Sequence, residues 1–158
     1  MKSLWRHTLG VRGWAFRNVF LIFFTGPSIL ELTSERCEIR IPLNWKTRNH
    51  LRSMYFGALC IGADIAGGLI AFELMRSQRV RVSFVFKDLH AEFLKRAEDD
   101  VHFSCEDGKA IQELMQRTVS TGERQETIVR VVATVPKKLG EEPVARFALT
   151  LSLKAERK

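Results

Sequence analysis

The strongest constraint on this chain is a nineteen-residue run, 54–72, that reads MYFGALCIGADIAGGLIAF and carries a single charge, Asp64. Its length is enough to cross a bilayer. Its content argues against a span, because an aspartate near the centre costs about 3 kcal/mol on insertion. Glycines at 57, 62, 67 and 68 lower the hydropathy further. A helix apolar on every side can instead form the buried centre of a globular domain, provided other segments have apolar faces to cover it.

Such segments flank the run. In residues 36–43, Cys37, Ile39, Ile41 and Leu43 alternate with Arg36, Glu38, Arg40 and Pro42. A period of two marks a strand with one buried face, and Pro42 belongs at an edge or an end because it cannot donate to a ladder. A polar loop, 44–52, then leads into the long helix, with Ser53 as the expected N-cap. Beyond the helix, apolar residues alternate at Val80, Val82, Phe84 and Phe86, and again at Val101, Phe103 and Cys105. Two more such sets are Val129, Val131, Ala133 and Val135, and Phe147, Leu149, Leu151 and Leu153. Between them residues 136–143 read as a hairpin loop punctuated by proline and glycine. A shorter amphipathic helix, capped by Asp107, places Ile111, Leu114, Met115 and Thr118 on one face. One helix alone is apolar enough to sit against all the strands. The expected fold is therefore α+β, with a curved antiparallel sheet of five or six strands wrapped around a long central helix.

Residues 1–24 mix Lys2, Arg6, Arg12 and Arg17 with Trp5, Trp14, Phe16, Phe20, Phe23 and Phe24. The continuous apolar run there, 19–24, is too short for a signal peptide, and no small-x-small cleavage site follows it. A basic, aromatic helix can lie on a membrane surface or pack its stripe on a domain. We expect the second, with Gly26 and Pro27 ending the segment, so that residues 1–27 pack on a main domain of residues 28–158.

The 158 residues suit one domain, and 46% hydrophobic with 27% charged residues excludes a disordered chain. Cys37, Cys60 and Cys105 have neither zinc-ligand nor redox-pair spacing, so reduced thiols, a cytoplasmic location and no bound metal or cofactor are expected. The net charge of +7 is spread along the chain without a basic run or an RNA-binding signature. Nucleic acid is therefore not an expected partner. The phosphates of an acyl-coenzyme A would suit such a surface.

The order of elements resembles the hotdog fold over residues 28–156, and the local motif Asn49-His-Leu-Arg-Ser-Met-Tyr-Phe-Gly-Ala58 followed by Asp64 is similar to that of phenylacetyl-CoA thioesterase-like hotdog proteins. The family's Asn, the second glycine of its His-Gly-Gly and its acidic residue fall at Asn49, Gly57 and Asp64. Tyr55 stands at the family's histidine and Phe56 at its first glycine, which resembles a subfamily with a Tyr-Phe-Gly-Ala motif. Residues 93–97, Phe-Leu-Lys-Arg-Ala, are similar to the family's Phe-Leu-Arg-Pro-Ala segment, with Arg96 in place of proline.

The resemblance implies hydrolysis of an acyl-CoA or acyl-carrier thioester by a homodimer or homotetramer. In it Asp64 activates water or attacks directly, the Gly57 N–H polarises the thioester carbonyl, Asn49 holds water or substrate, and Tyr55 donates in place of histidine. The missing histidine equally fits a non-catalytic module that binds acyl-CoA or a fatty acyl group. Each residue also has a structural reading: Asp64 as a satisfied buried acid, Asn49 as a turn residue, Tyr55 as a packed ring, and Gly57 as a point of close approach.

Overall fold

The computed structural model describes residues 2–156, with side chains described from Leu4 onward. Six strands form: β1 (Ser28–Leu32), β2 (Cys37–Ile41), β3 (Val82–Phe93), β4 (Val101–Cys105), β5 (Gln125–Thr134) and β6 (Pro143–Ala155). The helices are α1 (Lys2–Asn18), α2 (Phe20–Thr25), α3 (Phe56–Gln78), α4 (Gly108–Thr121) and the single turn α5 (Pro136–Leu139). All strands belong to one antiparallel sheet in the order β1-β2-β4-β5-β6-β3.

The sheet curls around α3, which touches β2, β4, β5 and β6, as the alternating patterns require. Ile39, Ile41, Phe103, Val129, Val131, Leu149 and Leu151 share one core with Ala63, Ala66, Ile70 and Ala71 of α3. Burying each of the large side chains contributes about 1.5–3 kcal/mol. Although α3 is long and apolar enough to cross a membrane, most of its apolar length is buried inside the domain. Four glycines would weaken such a helix in isolation. Here Gly62 faces the ring of Phe103, and Gly67 and Gly68 make room for Phe84 and Phe86.

Several local expectations are corrected. Tyr55, not Ser53, occupies the N-cap of α3; the Ser53 side chain is bonded to Asn49 instead. Asp107 occupies the N-cap of α4 as expected, but its side chain makes no capping bond. Its carboxylate accepts the Arg130 backbone N–H at 2.6 Å and so ties the helix to β5. Residues 136–143 begin with the turn α5 rather than a plain loop. Strand β1 had no counterpart in the sequence pattern, and β3 continues past Phe86 to Phe93. Pro42 lies just beyond the end of β2, an interior strand.

At the N-terminus, the Arg12 guanidinium donates to the carbonyls of Pro27 (2.8 Å) and Gly26 (3.0 Å) and to the Ser28 hydroxyl. The Thr8 hydroxyl accepts the Ile29 N–H at 3.0 Å. Gly26, with φ +66°, ends α2 in the left-handed conformation that a residue with Cβ resists. Ala15, Ile22 and Thr25 are buried. Polar latches and buried or half-buried aliphatic residues, Leu4, Val11 and Ile22 among them, therefore contribute to this contact. Trp14 meets Phe72 at 5.7 Å between ring centroids, whereas Trp5, Phe16 and Phe20 stay exposed.

Candidate functional site

Along α3 the half-buried positions Gly57, Cys60, Ile61 and Asp64 lie three or four residues apart and so share one face, the open side of an otherwise enclosed helix. Asp64 lines a cavity of about 540 Å³. Trp14, Val19 and Ile22 form one wall, Ile65, Gly68 and Phe72 the floor along α3, and Phe84, Val85 and Phe86 of β3 the other wall. Asp64 is the sole charged residue among the described lining. Its carboxylate has no hydrogen-bond or ion-pair partner among the described residues. Burial raises its pKa above the ordinary aspartate range, because the charged form loses water and gains no compensating cation. A carboxylate in such a place is a stronger base than one in water. The cavity is therefore suited to an apolar group presented to a base.

The other sequence candidates lie outside that wall. The Asn49 side chain is engaged within its own loop: Oδ1 accepts the N–H groups of Leu51 (2.9 Å) and Ser53 (3.2 Å), and Nδ2 donates to the Ser53 hydroxyl. Tyr55 is half exposed, stacks on Phe56 with ring centroids 4.8 Å apart, and lays its ring over Gly57. Gly57 sits in the first turn of α3, where an amide N–H has no intrahelical acceptor. It precedes Asp64 by two turns, about 10 Å along the helix axis. The structure thus brings Tyr55 to Gly57 and leaves Asn49 tied to Ser53, while Asp64 stands apart in its cavity.

The 93–97 segment positions the start of α3. Ala97 is buried and its carbonyl accepts the Met54 N–H at 2.8 Å. Leu94 and Lys95 both donate to the Val144 carbonyl, and Phe93 packs edge-on against Phe56 and Phe147. The cavity walls from α1, α2 and β3 escaped the sequence reading as site residues. Their only signal was an aromatic content that reads equally well as core.

A curled antiparallel sheet around a central helix, with an acid on the helix's open face, defines a hotdog-fold domain. The same architecture is found in a provisionally named thioesterase from Shewanella oneidensis (TM-score 0.78, 15% identity, 99% of this chain and 100% of the other covered). A protein of unknown function from Chlorobaculum tepidum superposes with TM-score 0.82 at 10% identity, over 97% of each chain. A thioesterase from Haemophilus influenzae gives 0.68 at 13% identity, over 92% of this chain and 88% of its own. At these identities the likeness is one of fold. By sequence the chain belongs to the family described as domain of unknown function DUF4442, which it matches over residues 15–153. No curated protein is similar enough to this chain to count as a relative.

Proposed function

We propose that this protein hydrolyses an acyl thioester, carried on coenzyme A or an acyl-carrier protein in the cytoplasm, with Asp64 as the general base. The observation that carries this reading is an unpartnered carboxylate, its pKa raised by burial, in an apolar cavity of about 540 Å³. An acyl chain lies in the cavity with its carbonyl towards Asp64. Asp64 takes a proton as water oxygen attacks the carbonyl carbon. The tetrahedral oxyanion then collapses, the C–S bond breaks, and the proton passes to the departing thiolate. The products are a free acid and a thiol. An adjoining cavity of about 610 Å³ carries Arg6, His7 and Arg76, the last paired with Glu73 at 2.8 Å; Arg6 is the cation there that suits a phosphate of the carrier.

Gly57 fits the oxyanion role only with a second copy. A donor must come within about 3 Å of the oxyanion, and Gly57 lies about 10 Å from Asp64 along the same helix. The open edge of β3 supplies the means of pairing. It is bonded only to β6 on its other side, and exposes Val85, Leu89 and Phe93. Val85 also borders the Asp64 cavity. A homodimer across this edge, possible also within a homotetramer, would cover the apolar strand and bring the partner subunit's Gly57 towards Asp64.

Two observations favour a second reading, a non-catalytic acyl-binding module: Asn49 has its amide committed to loop 49–53, and Tyr55 lies outside the cavity wall. Thiol release from a panel of acyl-CoAs, comparing wild type with Asp64→Asn, separates the two. Hydrolysis lost in the variant supports the enzyme; saturable acyl-CoA binding without turnover in either protein supports the module.

A further inference from the structure

The outer surface of α1 and α2 and the loop after β2 form a continuous aromatic ridge. Phe16, Phe20 and Phe23 contact one another, with ring centroids 5.1–5.9 Å apart. Phe20 continues to Phe24 at 6.4 Å, and Phe24 to Trp45 at 6.2 Å. These are not rings awaiting a place in the core: Trp45 is 70% exposed, Leu21 66%, Phe16 58% and Phe20 54%. Nor is their exposure the result of a loose helix, since Arg12, Thr8 and buried Ala15 fix α1 to the domain from its other side. A soluble surface rarely keeps so large an apolar patch without a use.

The charge around the ridge selects the occupant. The ridge segments, residues 14–25 and 44–48, contain Arg17, Lys46 and Arg48 and no Asp or Glu. Lys46 stands on the ridge itself, its ammonium 5.2 Å from the centroid of Phe24 and 5.7 Å from that of Trp45. Arg17 follows Phe16, and Arg48 follows in the Lys46 loop; both are exposed and make no ion pair among the described residues. Indole and phenyl rings interleaved with unpaired cations match an anionic lipid surface, where rings enter the headgroup layer and cations meet phosphate. A second copy of this chain would bring the same cations against one another, so it is the poorer match.

We propose that this ridge docks the protein on an anionic membrane. Trp14, Val19 and Ile22 belong to the same two-helix unit and wall the Asp64 cavity, so docking places that apolar cavity beside the bilayer, the phase in which long acyl chains reside. Binding of the membrane itself does not depend on the catalytic reading.

The test is co-sedimentation of the full chain with vesicles of phosphatidylcholine alone and of phosphatidylcholine with phosphatidylglycerol, read with the emission of Trp5, Trp14 and Trp45. The ridge predicts binding to the phosphatidylglycerol vesicles, weakened by salt, with a blue shift in tryptophan emission. Reversing two surface cations, Arg17→Glu with Lys46→Glu, leaves the fold intact and weakens partitioning by about thirtyfold or more, from about 1 kcal/mol per cation at such a surface. Phe16→Ser with Phe20→Ser, checked by circular dichroism, abolishes the blue shift. The proposal is overturned by absence of binding at low salt, by equal binding of the charge-reversed protein, or by ridge substitutions that dissociate an oligomer while leaving vesicle binding unchanged. Each outcome is read without any measurement of hydrolysis.

Discussion

Gly62 of α3 packs flat against the ring of Phe103, so closely that a methyl group at position 62 would fall 2.3 Å from the ring's Cζ. Phe103 is wholly buried in β4 and has nowhere to turn. Gly62→Ala is therefore expected to overpack the core and destabilise the fold by about 1–3 kcal/mol, despite the better helix propensity of alanine. Denaturant unfolding measures this. Gly57→Ala provides the contrast, because its methyl group would meet the half-exposed ring of Tyr55, which can swing into solvent at little cost.

The Asp64 carboxyl should make stability and activity respond to pH in opposite directions. Its folded pKa is raised, so the ionised form costs stability above that pKa, and the cost disappears as pH falls towards the unfolded value of about 3.9. Asp64→Asn is therefore expected to raise the melting temperature at pH 8, an advantage that shrinks on acidification. Hydrolysis needs the ionised base, so its acidic limb should lie above the ordinary aspartate range. A melting series for the two proteins across pH 4–8, beside a wild-type rate profile, checks both statements.

The three cysteines should react in a fixed order. Cys60 is half-buried on the same face of α3 as Asp64, one turn away. Cys37 and Cys105 are paired across β2 and β4 and fully buried. Burial raises the Cys37 thiol well above the usual range and pushes the Cys105 thiol up to about 11. Burial also raises the Cys60 thiol, so reaction is slow at neutral pH. Mass spectrometry after treatment of the native protein with a maleimide should show a single adduct, on Cys60, and saturation with an acyl ligand should slow its formation.

Asn49 should behave as the anchor of its loop. Asn49→Ala removes the acceptor for two backbone N–H groups and the donor to Ser53, an expected loss of about 1–2 kcal/mol. Asn49→Asp keeps the acceptor and should recover much of that stability. A rate loss in Asn49→Ala that survives in Asn49→Asp at full stability would instead assign Asn49 to the chemistry.

The central helix and four of the strands were legible in the sequence because their apolar residues keep one phase throughout. β1 was not: in Ser-Ile-Leu-Glu-Leu only Ile29 is buried, and the register shifts between Ile29 and Glu31. The far half of β3 was hidden by a bulge between Phe86 and Leu89. It moves the apolar set from Val82, Phe84 and Phe86 to Leu89, Ala91 and Phe93, from even positions to odd. Asp64 stood out as the one charge in the apolar run 54–72. Its surroundings did not, because Trp14 and Ile22 reach the cavity from the N-terminal helices and Phe84 from β3, both far from Asp64 along the chain, and no spacing along the sequence encodes that meeting.

The central claim, that Asp64 is the base of a thioester hydrolase, is tested most directly by release of free thiol from acyl-CoAs of graded chain length. The account predicts turnover by the wild-type protein and a loss of about a hundredfold or more in Asp64→Asn, with the variant still folded and still binding acyl-CoA. Equal turnover by the two proteins, or binding without turnover in both across all chain lengths, would contradict it.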